Sequence, residues 1–336
     1  MKAQRIAIIG AGAVGGALGA RLALAGHTVS LVARGAHLQA IQQHGLQFVD
    51  QVTHQSTSIA LTATANPAEL PPQDALIIAL KAPAIPAMLP LLKPLLGPET
   101  VVIPAINGMP WWYPYCLTGI APIKSVDPQG DALQAISGEH ILGCVVHFAA
   151  NVPAPGTVQL NSYQRLLLGE IGHSASAATS TRLQTWTQIF NEAGLATAAV
   201  SDIRLEMWTK LIGNLSFNPV TALTGYTLAD ACDDPGTLSI IRQMMVEGMA
   251  VAAACGCPIQ MSMDARIDVA RGLGHARTSM LQDLTAGRPL ETGALIEAVL
   301  ELAERAQVPT PTCRMVLALL QAVVNKRDVE LSAAVR

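Results

Sequence analysis

In residues 1–200 the apolar positions come in short runs separated by stretches of helical period. The runs are "RIAIIG" (5–10), "TVSLVAR" (28–34), "ALIIAL" (75–80) and "TVVIPAI" (100–106), with helices through about Ala25 and over 36–44. Short β-branched runs alternating with helices predict a parallel α/β sheet. From about 117 to 170 the texture changes to strand-like "HILGCVVHFAA" (140–150), a turn at "PAPGT" (153–157) and "QRLLLGEIG" (164–172), which are expected to extend that sheet. A helix over about 179–194 and a strand "ATAAV" (196–200) close the domain. From Asp202 the pattern is helical, with helices over about 203–217, 219–232, 234–255, 260–274, 278–286 and 289–307 and a last one from Thr312. The expected organisation is an α/β domain over 1–200 and an all-α domain over 201–336, without internal repeat or low-complexity segment.

Composition narrows the class. The 336 residues suffice for two domains with buried cores. A net charge of −3 with only 13% charged residues offers neither the basic surface of a nucleic-acid binder nor an acidic tail. The 51% hydrophobic content raises the question of a membrane, and two uncharged stretches, 211–229 and 100–123, are broken by prolines and asparagines rather than uniformly apolar. The N-terminus has the basic start and small residues of a signal peptide, but it is glycine-patterned and leads into a second strand, so it reads as mature structure. A soluble, cytoplasmic protein is expected. Cys116, Cys144, Cys232, Cys255, Cys257 and Cys313 are scattered and read as buried thiols in a reducing compartment. The histidines show no metal-ligand spacing, so no metal is expected.

The candidate chemistry begins at "GAGAVG", which places Gly10, Ala11, Gly12, Ala13, Val14 and Gly15 between the first strand and the first helix. The first glycine permits a tight turn, the second lets the backbone approach a pyrophosphate, and the third lets helix and strand pack closely. The helix N-terminus then faces the phosphate charge. This predicts a Rossmann-type dinucleotide-binding domain. An NAD enzyme usually carries Asp or Glu at the end of the second strand, whereas this chain has Arg34 and no acid before Asp50. A guanidinium suits the 2′-phosphate of NADP, the alternative being an ordinary surface arginine. Lys81 and Asn107 follow two further strands, at the carboxyl ends where open α/β sheets bind ligands.

The second candidate region is "WTKLIGNLSFNP" (208–219), an apolar run carrying Lys210, Asn214 and Asn218 at intervals of four. On a helix these positions fall within roughly 80° of one another. The shared face is either the wall of a site, with Lys210 protonating a carbonyl oxygen that receives hydride, or a stripe whose lysine reaches solvent and whose asparagines cap or bridge helices. Pro219 predicts that the helix ends or kinks at Asn218.

Taken with "TSMLQDLTAGRPLETGALIEAV" (278–299), these stretches resemble the ketopantoate reductase family over nearly the whole chain. The resemblance rests on "IAIIGAGAVGG", "LKA" with Lys81, "NGM" with Asn107, "PG" at 155–156, "LGE" at 168–170, "KLIGNLSFNPVTAL", and Ser279 with Glu291 twelve residues later. It implies NADPH held by the glycine loop and Arg34, with Lys81 and Asn107 near the cofactor. It further implies Lys210 as the acid, Asn107, Asn214 and Asn218 as substrate ligands, Ser279 in contact with the substrate carboxylate, and Glu291 bonded to the substrate hydroxyl and balancing the lysine. Read without the family, Glu291 is a helix N-terminal acid, Glu297 and Glu301 are helix-surface charges, and Ser279 is an N-cap.

One stretch departs from the pattern. "MPWWYPYC" after Gly108 packs Trp111, Trp112, Tyr113 and Tyr115 into a proline-rich loop. These rings either pack the loop onto the sheet or reshape the pocket for another 2-oxo acid. The competing functions are a relative acting on a different 2-oxo or hydroxy acid and a non-catalytic NADPH sensor. The helical domain buries its apolar faces either internally or against a second copy in a homodimer.

Overall fold

The computed structural model of the protein describes residues 2–115, 117, 121–172 and 180–334. Its contacts divide the chain into two units, one of residues up to Pro122 together with Asp127–Glu206, the other of Ile123–Val126 together with residues from Met207 onward.

The first unit is built on β1 (Arg5–Ile9), α1 (Ala13–Leu24), β2 (Thr28–Val32), α2 (Gly35–His44), β3 (Leu46–Asp50), β4 (Gln55–Ile59), β5 (Thr62–Thr64), β6 (Gln73–Ile78), α3 (Ile85–Met88) and β7 (Leu96–Pro104). It continues through α4 (Asp131–Ala135), β8 (Leu142–Ala154), β9 (Thr157–Glu170), α5 (Thr181–Glu192) and β10 (Thr197–Ala199). Five strands form a sheet of order β5-β2-β1-β6-β7 in which every pairing is parallel. Its central strands are fully buried on both faces, as the continuous run Ile6, Ala7, Ile8 and Ile9 requires.

The expectation that 140–172 extends this sheet is corrected. β8 and β9 form an antiparallel ribbon, and β9 joins β10, β3 and β4 in a second sheet of order β10-β9-β3-β4. A single parallel bridge, Val102 to Ile141, links the ribbon to β7. β4 and β5 gave no signal in the sequence pattern because they are short, polar and largely exposed. Helix α1 lies between the two sheets. A Cβ on Gly16 would meet Val158 of β9 at 2.5 Å, and one on Gly19 would meet Ile8 and Leu31 of the parallel sheet at 3.1 Å.

The second unit is helical: α6 (Ile203–Thr224, whose first residues belong to the other unit), α7 (Leu228–Asp233), α8 (Pro235–Ala254), α9 (Met263–Gly272), α10 (Ser279–Thr285), α11 (Ala298–Arg305) and α12 (Pro311–Ala334). α6 does not stop at Pro219 but runs through it to Thr224. Hydroxyls of Ser216 and Thr221 bond back to Ile212 O at 2.8 Å and Phe217 O at 2.9 Å within this segment, and the helix is buried around it. Tertiary burial thereby outweighs the loss of one N–H donor. The expected helix over 289–307 opens instead with a π-helical turn, Gly293–Glu297. Among the described residues no helix is long and apolar enough to cross a membrane, and no side-chain cluster could hold a metal ion. Cys144, Cys232, Cys257 and Cys313 are buried and Cys255 is half-buried, none of them joined in a disulfide among the described residues; Cys116 lies outside the described residues.

Candidate active site

The parallel sheet brings four predicted residues to one edge. Ile9 is in register with Val32 and with Ile78, and Ile78 with Pro104, so β2, β1, β6 and β7 end level with one another. Arg34, Gly10, Lys81 and Asn107 follow these ends in that spatial order. β1 and β6 flank the point where strand order reverses, the usual ligand crevice of such sheets.

The glycine turn fits a pyrophosphate. Gly10 has φ +102°, and a Cβ there would stand 2.7 Å from the Ala79 carbonyl oxygen, so no other residue takes this turn unstrained. A Cβ on Gly15 would collide with the Gly10 carbonyl oxygen and reach Ile8 at 2.8 Å. Gly12 differs: a Cβ there would have nothing within 4 Å, so its bareness serves open space rather than packing. It is the N-cap of α1, and no side chain caps the helix. Donors at a helix start without an internal acceptor suit an anion.

The Arg34 side chain is exposed and, among the described residues, has no hydrogen-bonding partner. Asp50, the first acid after β2, is committed elsewhere: it is buried, pairs with Arg21 and accepts N–H bonds from Val52 at 2.9 Å and Thr53 at 3.1 Å. Lys81 is exposed at the start of a short 3-10 turn, and Asn107 is half-buried in a bend before Gly108.

One residue of this edge escaped sequence reasoning. His37 on α2 accepts the Gly156 N–H at Nδ1 (2.9 Å), which leaves Nε2 protonated to donate to Ala11 O (2.8 Å). The ring ties the glycine turn to the β8–β9 turn. The "PG" at 155–156 was visible in the sequence, but its partner 119 residues earlier was not.

On α6 the polar face is not a solvent stripe. Asn218 is only 5% exposed, and Lys210 and Asn214 are half-buried. The Asn218 amide has no hydrogen-bond partner among the described residues. The Thr221 hydroxyl, one turn further along the same face, bonds the Thr278 hydroxyl at 2.7 Å. Thr278 is the N-cap of α10, its oxygen accepting from Leu281 N at 3.3 Å. Ser279 is therefore not the cap, which corrects that alternative; it is exposed and directly follows the residue bonded to α6.

Glu291 is positioned by another element. It is half-buried just ahead of the π-helical turn, and its carbonyl accepts from Leu295 N at 3.2 Å. π-turns within helices are frequent at functional sites. The turn is held against residues 123–126: a Cβ on Gly293 would stand 2.6 Å from Ser125 O. One turn later Glu301 accepts bonds from Lys124 N (2.9 Å), Ser125 N (3.1 Å) and Ser125 Oγ (2.8 Å) and pairs with Arg305. Glu301 is thus an anchor for this strand of chain, not the helix-surface charge its spacing suggested. Burial pushes its carboxyl pKa up, but these donors and Arg305 more than offset that and hold it below the ordinary value.

The aromatic loop turns inward. Trp111, Trp112 and Tyr113 are 2%, 2% and 0% exposed. Buried Arg204 donates to the carbonyls of Tyr113 (2.5 Å), Tyr115 and Ile171 (3.0 Å), with its guanidinium 5.4 Å from the Trp112 ring and 5.0 Å from that of Tyr113. The Tyr115 hydroxyl donates to Ile136 O at 2.7 Å. Packing around a buried cation accounts for these rings, although the indole N–H groups of Trp111 and Trp112 find no acceptor among the described residues.

Residues 6–173 match the family model described as ketopantoate reductase PanE/ApbA, and residues 202–324 match its C-terminal counterpart. A 2-dehydropantoate 2-reductase of Mesorhizobium japonicum is 42% identical over 96% of this chain and 99% of its own length. A protein of Ralstonia solanacearum MolK2 of known crystal structure is 41% identical, with a TM-score of 0.90 over 97% of this chain and 99% of that one. The 2-dehydropantoate 2-reductase of Geobacter metallireducens is 25% identical with a TM-score of 0.82, covering 95% and 99%.

Proposed function

The chain belongs to the ketopantoate reductase family, and from that premise we propose that it reduces 2-dehydropantoate to pantoate with NADPH. The observation that carries the reading is the α6 face, where Lys210, Asn214 and an unpartnered, buried Asn218 share one side of a helix. A polar face of this kind, set among buried apolar side chains, is suited to answering charge that develops on an oxygen. NADPH supplies the hydride when bound. The glycine turn holds its pyrophosphate, Arg34 its 2′-phosphate, and Lys81 and Asn107 the edge of the sheet beside it. As negative charge grows on the 2-oxo oxygen, Lys210 stabilises it and then donates a proton there. Asn214, Asn218 and Ser279 orient the carbonyl and its neighbouring groups, and Glu291 bonds the hydroxyl and balances the lysine.

The inward packing of the aromatic loop favours the family's own substrate over a bulkier 2-oxo acid. The full set of Lys210, Asn214, Asn218, Ser279 and Glu291 disfavours a cofactor sensor, which needs none of them. A cytoplasmic location accords with cysteines that form no disulfide among the described residues. A second copy of the chain is the proposed cover for an apolar stripe on α12, where Met315, Leu319 and Val323 are 64%, 54% and 39% exposed. The test of the reaction is isotopic. With NADPH deuterated at the transferred position and ketopantoate, deuterium should arrive at C2 of pantoate. Pantoate without deuterium, or no pantoate at all, would overturn the proposal.

A further inference from the structure

His37 of α2 grips the glycine turn by a carbonyl, and the peptide it grips is one that carries a donor for phosphate. Ala11 is only 2% exposed, and both of its backbone groups are engaged. Its N–H donates to Val32 O of β2 at 3.2 Å, beside the Gly10 N–H at 3.1 Å. Its carbonyl accepts from His37 Nε2 at 2.8 Å and, among the described residues, receives no other hydrogen bond. Ala11 and Gly12 are joined by a planar trans peptide, in which C=O and N–H point in opposite directions. Held by its oxygen toward α2, this peptide aims the Gly12 N–H away from α2. That N–H has no acceptor among the described residues, and Gly12 borders open space at the start of α1. It is the kind of donor a pyrophosphate takes.

The ring is itself held in one orientation. Nδ1 accepts from Gly156 N at 2.9 Å, which leaves Nε2 as the donor. Gly156 is anchored in turn: its carbonyl accepts from Gln47 N of β3 at 2.8 Å, and a Cβ on it would stand 2.7 Å from Ala40 Cβ of α2. Neither turn offers the ring a charged side chain, since residues 10–15 read "GAGAVG" and 152–157 read "VPAPGT".

We propose that His37 is a positioning residue for the dinucleotide, orienting the Ala11–Gly12 peptide so that the Gly12 N–H meets the pyrophosphate, the part that NADPH and NADH share. This rests on the cofactor reading above and adds to it a support from outside the glycine motif. Arg34 supplies the alternative to be separated, because it is the N-cap of α2 and His37 follows it on the same helix. A histidine that only steadied α2 would act through the 2′-phosphate, and its loss would weaken NADPH and spare NADH.

In fluorescence or calorimetric titrations, His37→Ala should weaken NADPH and NADH by the same factor, about three- to tenfold, the value of one neutral hydrogen bond. At saturating NADPH, kcat should stay within about twofold of wild type. Two further variants divide the ring's bonds. In His37→Gln the amide nitrogen reaches the position of Nε2 and restores the donor to Ala11 O, whereas in His37→Asn the shorter side chain reaches only as far as Nδ1 and serves Gly156 alone. Gln should therefore recover most of the affinity and Asn little, a comparison that stands even where His37→Ala fails to fold. A loss confined to NADPH would assign His37 to α2 and Arg34 and overturn the inference. Recovery by Asn rather than Gln, or the same affinity in both, would overturn it too. Unchanged binding by His37→Ala would overturn the inference alone, whereas a wild type that binds neither dinucleotide would overturn the cofactor reading and the inference with it.

Discussion

The glycine turn after β1 and the polar face of α6 are two binding surfaces made by opposite means. The turn is made by leaving atoms out, since Gly10 and Gly15 are tight against Ala79, Ile8 and their own loop while Gly12 borders open space. The α6 face is made by putting polar atoms in, setting Lys210, Asn214 and Asn218 among Leu211, Leu215 and Phe217, which are 1%, 0% and 2% exposed. The first surface is therefore broken by adding a methyl group, and the second by removing a functional group. Steric surfaces lose cofactor affinity or fold when damaged. Chemical surfaces lose rate.

The predictions press on that contrast. The largest effect belongs to the chemical surface: Lys210→Ala should lower kcat by about a hundredfold to ten-thousandfold with NADPH affinity within a few-fold of wild type, measured by steady-state turnover and fluorescence titration. On the steric surface, Gly15→Ala should destabilise the protein by about 1–3 kcal/mol in denaturant titrations, because its methyl meets the Gly10 carbonyl. Gly12→Ala sharpens the comparison. Melting should move by no more than about 0.5 kcal/mol equivalent, while NADPH affinity falls, since the methyl intrudes only where a pyrophosphate would lie. Arg34→Gln should weaken NADPH by about ten- to a hundredfold, the value of a charged hydrogen-bond group, and leave NADH unaffected. The smallest effect is expected away from both surfaces. Glu301→Gln removes the charge that anchors residues 124 and 125 and should cost about 1 kcal/mol near neutral pH. Its folded pKa is lowered, so its contribution is complete above the ordinary 4.5 of a glutamate and is lost as pH falls through the lower folded value. Wild type and Glu301→Gln should therefore converge in stability in acid, and parallel curves down to pH 3 would remove Glu301 from that role.

The same contrast explains what the sequence disclosed. A glycine turn between a strand and a helix is a local pattern, and so is i, i+4, i+8 spacing on one helix, which is why Gly10, Gly12, Gly15 and the Lys210 face were legible. The parallel sheet was legible because its buried strands are continuous apolar runs. The second sheet was not, because β4 is polar and β9 alternates between partners, leaving topology to pairings distant in sequence. Helix α6 outlasted Pro219 because burial on both sides outweighs one missing donor. His37 and Glu301 were silent for a common reason: each acts on a backbone group, and such a partner leaves no motif in the sequence.

The most direct test of the account is NADPH oxidation at steady state with ketopantoate beside a panel of bulkier and aromatic 2-oxo acids. The inward aromatic loop and the α6 face predict efficient turnover of ketopantoate and little of the larger acids. NADPH binding with no turnover of ketopantoate, but with turnover of a bulkier acid, would contradict the assignment of substrate.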